Sequence, residues 1–151
     1  MNGVGMYELR TEIKINASAE QAWEILADFP RHPEWNPFIT SLTGEPVVGA
    51  TLKVAICPPG GKPMRFAPKV LVADPNRQLR WLGRFLVPGL FDGEHYFQFE
   101  PIAEGQVRLI HGERFSGLLV PLLKSSLETG TRAGFEAMNQ ALKARAEAAA
   151  R

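Results

Sequence analysis

The sequence predicts an α+β domain, an antiparallel sheet with its helices gathered on one side, and three observations carry that reading. An opening stretch alternates apolar and polar residues, six further β-type runs follow one helical segment, and a long amphipathic run closes the chain. The 151 residues, 45% hydrophobic and 22% charged, fit a single domain across residues 1–151. A chain of this length buries roughly 68–70% of its unfolded surface.

Each element has its own signal. In residues 7–16, YELRTEIKIN, the apolar Leu9, Ile13 and Ile15 alternate with polar neighbours, the period-two pattern of a half-buried strand. Ser18 then offers an N-cap with Gln21 three residues on, and Ala22, Trp23 and Leu26 follow at helical spacing until Pro30, which predicts a helix over about 18–29. Trp23 and Phe29 fall on its packing side. Pro30, Pro33 and Pro37 stop any long regular element from crossing RHPEWNPFI, so Trp35 and Phe38 must bury their rings against the core or against a bound molecule. His32, flanked by proline, reads as solvated or capping.

Strands are expected near 38–44, 51–57, 66–74, 78–86, 92–101 and 106–116, divided by Gly, Pro and Asp-Pro-Asn turns, which makes seven in all. Ser125 and Glu128 then form a second capping-box pattern, and Leu127, Thr131, Phe135, Met138 and Leu142 mark one face of the final helix. Gly130 and Gly134 within it suggest room kept for a close neighbour, a strand or a ligand. A sheet curved around this helix can enclose space.

The words along this order resemble a known superfamily. EIKINASAEQAWEILADFPRHPEWNPFI looks like the opening of START-like, Bet v 1-like proteins, the SRPBCC or polyketide cyclase/dehydrase type, and so do His95-x-Phe97-x-Phe99-Glu100-Pro101 and Glu113-x-Phe115-x-Gly117-Leu118-Leu119. The resemblance covers about residues 7–145, the core of the domain, and implies a helix-grip fold with short helices between the first two strands. It also implies an apolar cavity between sheet and C-terminal helix, with Trp35 and Phe38 bordering its mouth.

Composition narrows the partners. Seventeen basic against sixteen acidic residues, a formal net charge of +1, provide no broad attraction for nucleic acid. A lone Cys57 makes no internal disulfide, and the N-terminus shows no apolar signal region, so a cytoplasmic setting is expected. Pro88 and Pro121 break the two most apolar runs short of membrane-spanning length.

The two strands near the C-terminal helix carry the ionisable groups. His95, Phe97 and Phe99 share one face, and Val107, Leu109, His111, Glu113 and Phe115 share one face of the next strand. If the turn at Ala103-Glu104-Gly105 makes a hairpin, His95 lies opposite His111 or Glu113, a two-residue choice of register that the pattern leaves open. Three ionisable groups on an apolar inner face must be hydrogen-bonded to one another, to water or to a ligand.

They are candidates either to orient a ligand's polar group or to act on it as acid and base, and the alternative is a self-satisfied pair lining a water-filled cavity. Two His and a carboxylate suffice for a catalytic zinc site, but no ligand-spacing motif is present, so no metal and no cofactor are expected. Candidate wall residues are Trp35, Phe38, Phe66, Trp81, Phe85, Phe97, Phe99, Leu109, Phe115, Phe135 and Met138, with Leu118 and Leu122 in an apolar segment that the resemblance places near the entrance.

Three functions follow: a binding protein for a small hydrophobic molecule such as a lipid, isoprenoid or aromatic compound; a cyclase/dehydratase-like enzyme; or an interaction module. In the last, the apolar segments LVPGLF at 86–91 and GLLVPLL at 117–123 meet a protein or make transient membrane contact.

Overall fold

Alternation in the first strand carries past its expected limits: β1 runs Gly5–Ile15, with Leu9, Thr11 and Ile15 buried on its inner side. The computed structural model describes residues 5–85 and 87–151. Helix α1 (Ala19–Ala27) starts as its capping box requires, for the Ser18 hydroxyl accepts from the Gln21 amide at 3.1 Å and the Gln21 side chain accepts from the Ser18 amide at 2.9 Å. Its apolar stripe, Ala22, Trp23 and Leu26, is buried.

The proline-rich segment folds as a 3₁₀ turn, Phe29–Arg31, and one turn of helix, α2 (His32–Trp35). His32 is not solvated. It is fully buried, its Nε2 donating to the Leu26 carbonyl at 2.8 Å and its Nδ1 accepting from the Asn36 side chain at 3.0 Å. Asn36 Oδ1 in turn accepts from the Phe38 and Ile39 amides, both at 2.9 Å. These bonds satisfy backbone groups that a broken segment would otherwise bury without partners.

Among the described residues there are eight strands rather than the expected seven. β2 (Ile39–Thr43), β3 (Lys53–Ile56) and β4 (Met64–Phe66) form one antiparallel sheet. β5 (Lys69–Asp74), β6 (Gln78–Phe85), β7 (Phe91–Ala103) and β8 (Gln106–Gly117) join β1 in the other, in the order β1-β8-β7-β6-β5.

The expected 66–74 strand divides because Pro68 has no amide to donate, so β4 stays paired with β3 while β5 pairs with β6. Across the break, Leu52 donates to the Pro68 carbonyl, and Val70 exchanges bonds with Gly49 and Ala50, which joins the two sheets into one curved wall. Leu86, where the fifth expected strand ends, lies outside the described residues.

The last helix begins earlier than its second capping pattern suggests. α3 (Val120–Ser126) opens with Pro121 in its first turn, passes through a π-helical turn, Leu127–Thr131, and continues as α4 (Arg132–Ala149). Ser125 therefore sits inside helix, and its carbonyl accepts from the Thr129 hydroxyl at 2.9 Å. Phe135, Met138, Asn139, Leu142 and Ala146 are buried toward the concave face of the sheet, which gives the helix-grip arrangement. Gly134 leaves room for the Phe38 ring, whereas Gly130 has nothing within 4 Å of where a side chain would start.

A small cavity lined by Glu113 and His95

The β7–β8 pairing resolves the register: His95 faces Glu113 across the strands, and Phe97 faces His111. His95 nonetheless touches both candidates. Its Nδ1 lies 3.2 Å from Glu113 Oε1, and its Nε2 lies 2.7 Å from His111 Nε2. The side chains then continue inward, His111 Nδ1 standing 2.8 Å from Asn139 Oδ1, Asn139 Nδ2 donating to the Thr11 hydroxyl at 2.8 Å, and that hydroxyl donating to the His111 carbonyl at 2.7 Å. Five side chains from β1, β7, β8 and α4 thus form one polar chain through an apolar core.

Rings hold it in place. Phe135 stacks on His111 with centroids 4.1 Å apart, and His95 lies between Trp81, at 5.1 Å, and Phe97, at 4.9 Å. Because these surroundings solvate charge poorly, burial pushes His95 down to about 3 and Glu113 up to about 8. Burial also pushes His111 down, helped by the charge of His95 and opposed by its bond to Asn139. All three groups are therefore neutral near pH 7.

Glu113 and His95 are the ionisable groups in the lining of a cavity of about 60 Å³. Phe38, Phe66, Phe85, Phe91 and Phe115 supply aromatic walls, while Ile56, Met64, Leu127 and Thr131 complete the lining with the bare backbones of Gly83 and Gly93. A side chain on Gly93 would run into the Glu113 carboxyl, so glycine there keeps the carboxyl's place open. Outside this cavity lies a hollow of about 400 Å³ between residues 58–62 and the turn at 126–131. The two share Met64, Phe91, Leu127 and Thr131 in their linings.

The candidate residues from the sequence divide accordingly. Phe38, Phe66, Phe85, His95, Glu113 and Phe115 line the cavity. Trp81, Phe97, Phe99, Leu109, His111, Phe135 and Met138 are buried in the core and do not line it. Trp35 borders a separate surface hollow with Ile25 and Arg145, its ring 4.8 Å from that of His32. Leu118 and Leu122, 67% and 79% exposed, do not line the cavity; they lie where the end of β8 passes into α3.

Sequence reasoning passed over Phe91, Asn139 and Thr11. Phe91 shares the parity of His95, and Asn139 is a polar residue in the apolar stripe of α4, so both left a trace in the pattern. Among the described residues there is no cluster of three His, Cys, Asp or Glu suited to a metal, and no helix long and apolar enough to cross a membrane.

This architecture recurs in solved proteins. The Zhui aromatase/cyclase from Streptomyces sp. R1128 superposes with a TM-score of 0.80 at 16% identity, over 97% of both chains. A START superfamily protein from Mycobacterium smegmatis gives 0.75 at 19% identity, over 96% of this chain and 99% of its own. Norcoclaurine synthase from Thalictrum flavum gives 0.73 at 15% identity, over 97% of each. At such identities the likeness is one of fold. No curated protein sequence matches this chain. The sequence pattern of one family, described as polyketide cyclase/dehydrase and lipid transport, matches residues 6–147. The chain therefore belongs to the polyketide cyclase/dehydrase and lipid transport family.

Proposed function

We propose that the protein binds a small hydrophobic molecule, lipid, isoprenoid or aromatic, with its polar end against Glu113 and His95. The observation that carries this reading is the composition of the cavity, an aromatic lining in which the ionisable groups gather at one place. Small-molecule sites are apolar clefts with a few converging polar groups, and they measure roughly 300–1,000 Å³. The 60 Å³ found here is smaller, so a ligand must extend past the shared Met64, Phe91, Leu127 and Thr131 into the outer hollow.

Native mass spectrometry of gently purified protein, followed by denaturing extraction, tests this directly. The expected result is a stoichiometric small molecule that is lost from Thr131→Trp, whose indole would block the passage. A co-purifying molecule retained in full by Thr131→Trp and by Glu113→Gln would place the ligand elsewhere and sink the proposal.

A second reading is favoured by the chemistry of the pair: a protonated carboxyl beside an imidazole suits a cyclase/dehydratase-like elimination. His95 Nδ1 would take the proton beside a carbonyl, the freed electron pair would form the C=C bond, and the C–O bond would break as Glu113 protonates the departing hydroxyl to water. The proton then returns from His95 to Glu113 across their 3.2 Å separation. For an enzyme, His95→Phe and Glu113→Gln abolish turnover and spare binding; for a carrier they weaken binding modestly.

A further inference from the structure

The hydrogen bonds behind the cavity determine where the protons are. Thr11 donates its one hydroxyl proton to the His111 carbonyl, so the Asn139 group facing it is the NH₂, and Asn139 Oδ1 faces His111 as an acceptor. His111 Nδ1 must then carry hydrogen, which leaves its Nε2 bare. Because that bare nitrogen lies 2.7 Å from His95 Nε2, the latter is the donor, and a neutral His95 turns an unprotonated Nδ1 toward Glu113. The carboxyl can meet that lone pair only by keeping its own proton.

We propose that Asn139, held by Thr11, is a positioning residue that sets, through His111, which nitrogen of His95 bears hydrogen and so keeps Glu113 a carboxylic acid. The inference rests on the reading of Glu113 and His95 as the polar end of the ligand site, and it deepens it. A neutral acid offers the ligand a hydrogen-bonding oxygen without an anionic charge, so the cavity favours hydroxyl, phenol or enol groups over ammonium groups. The elements against these rings present Trp81 from β6, Thr11 from β1, and Phe135 and Asn139 from α4, none of them charged. Burial is what holds His95 and Glu113 neutral, and His95 acts on His111 as a charge only when it is itself protonated.

Replacing Asn139 by aspartate keeps the acceptor and adds a negative charge. His111 then becomes imidazolium, taking hydrogen at Nε2 from His95, and His95 takes hydrogen at Nδ1 from Glu113, which is left as carboxylate. Each proton moves one step and their number is unchanged.

Two-bond ¹H–¹⁵N spectra of the histidine rings and ¹³C spectra of the Glu113 carboxyl read this without any ligand. The wild-type protein should show His95 with hydrogen on Nε2, His111 with hydrogen on Nδ1, and a protonated Glu113 at pH 7. His32, which donates from Nε2 to the Leu26 carbonyl, supplies an internal reference. Asn139→Asp should move His95 to the Nδ1–H form and ionise Glu113.

A wild-type His95 with hydrogen on Nδ1 overturns the proposal, and that measurement stands even if the variant does not fold. A folded Asn139→Asp that retains the wild-type pattern overturns it as well. Ligand binding is scored separately, so the expected tautomers in a protein that loads no small molecule would support the proton arrangement and count against the ligand reading alone.

Discussion

Replacing Glu113 by glutamine should stabilise the protein, and more so as the pH rises. The amide keeps the size of the side chain and a donor toward His95 Nδ1, but it cannot ionise. In the wild-type chain Glu113 is raised from an ordinary 4.5 to about 8 by burial. Below pH 4.5 the folded and unfolded chains both hold the proton and the group is neutral to stability. Above it the unfolded chain releases its proton first, so unfolding is increasingly favoured until the folded protein also ionises near pH 8.

The 2.5 pH units from 4.5 to 7, at about 1.36 kcal/mol each, give a cost of about 3 kcal/mol at pH 7. The same relation gives about 1 kcal/mol at pH 5 and about 4–5 kcal/mol at pH 8.5. Urea denaturation of both proteins at these three pH values measures the difference. His95, pushed down to about 3, acts in the opposite sense, its stability being present above 6.5 and lost as the pH falls. That contribution cancels in a comparison at equal pH. A difference between the two proteins that stays flat from pH 5 to 8.5 would refute the claim that folding holds Glu113 protonated.

Other perturbations test the parts around the site. Asn36→Ala removes the acceptor of two buried amides and should cost about 2–4 kcal/mol in chemical denaturation; a loss under about 1 kcal/mol would mean that the proline segment does not depend on this knot. Gly134→Ala should destabilise by about 1–3 kcal/mol despite its better helix propensity, because the new methyl group meets the Phe38 ring. Gly130→Ala, which meets nothing, should stabilise by up to about 1 kcal/mol, and thermal melts of the pair separate packing from propensity. Leu118→Asp and Leu122→Asp should change stability by less than about 0.5 kcal/mol and leave ligand loading intact; lost sedimentation with phospholipid vesicles would instead assign these side chains a membrane-contacting role.

How far the site could be read from the chain differs residue by residue. His95, Glu113 and Phe115 were legible because a strand exposes alternate residues to one face, so their parity assigned them inward. Phe97 and Phe135 were equally legible as inward-facing, yet they are buried in the core and do not line the cavity, and periodicity does not distinguish the two. Trp35 was expected at the cavity mouth from the resemblance alone, but it borders a separate hollow with Ile25 and Arg145. Pro68 divided a strand whose side-chain pattern runs through it, since the loss is of a backbone donor.

The sequence by itself determined what depends on neighbours a few residues apart: the capping box at Ser18 and Gln21, the inward parity of β7 and β8, and the apolar face from Leu127 to Leu142. Tertiary structure alone decided that His95 faces Glu113 while reaching His111, that Asn139 and Thr11 complete the polar chain, and that the cavity is narrow. The reason is physical. A two-residue slip between strands preserves every inward face, so periodicity does not select the register. Hydrogen bonds of about 3 Å between residues far apart in sequence exist only once sheet and helix are packed.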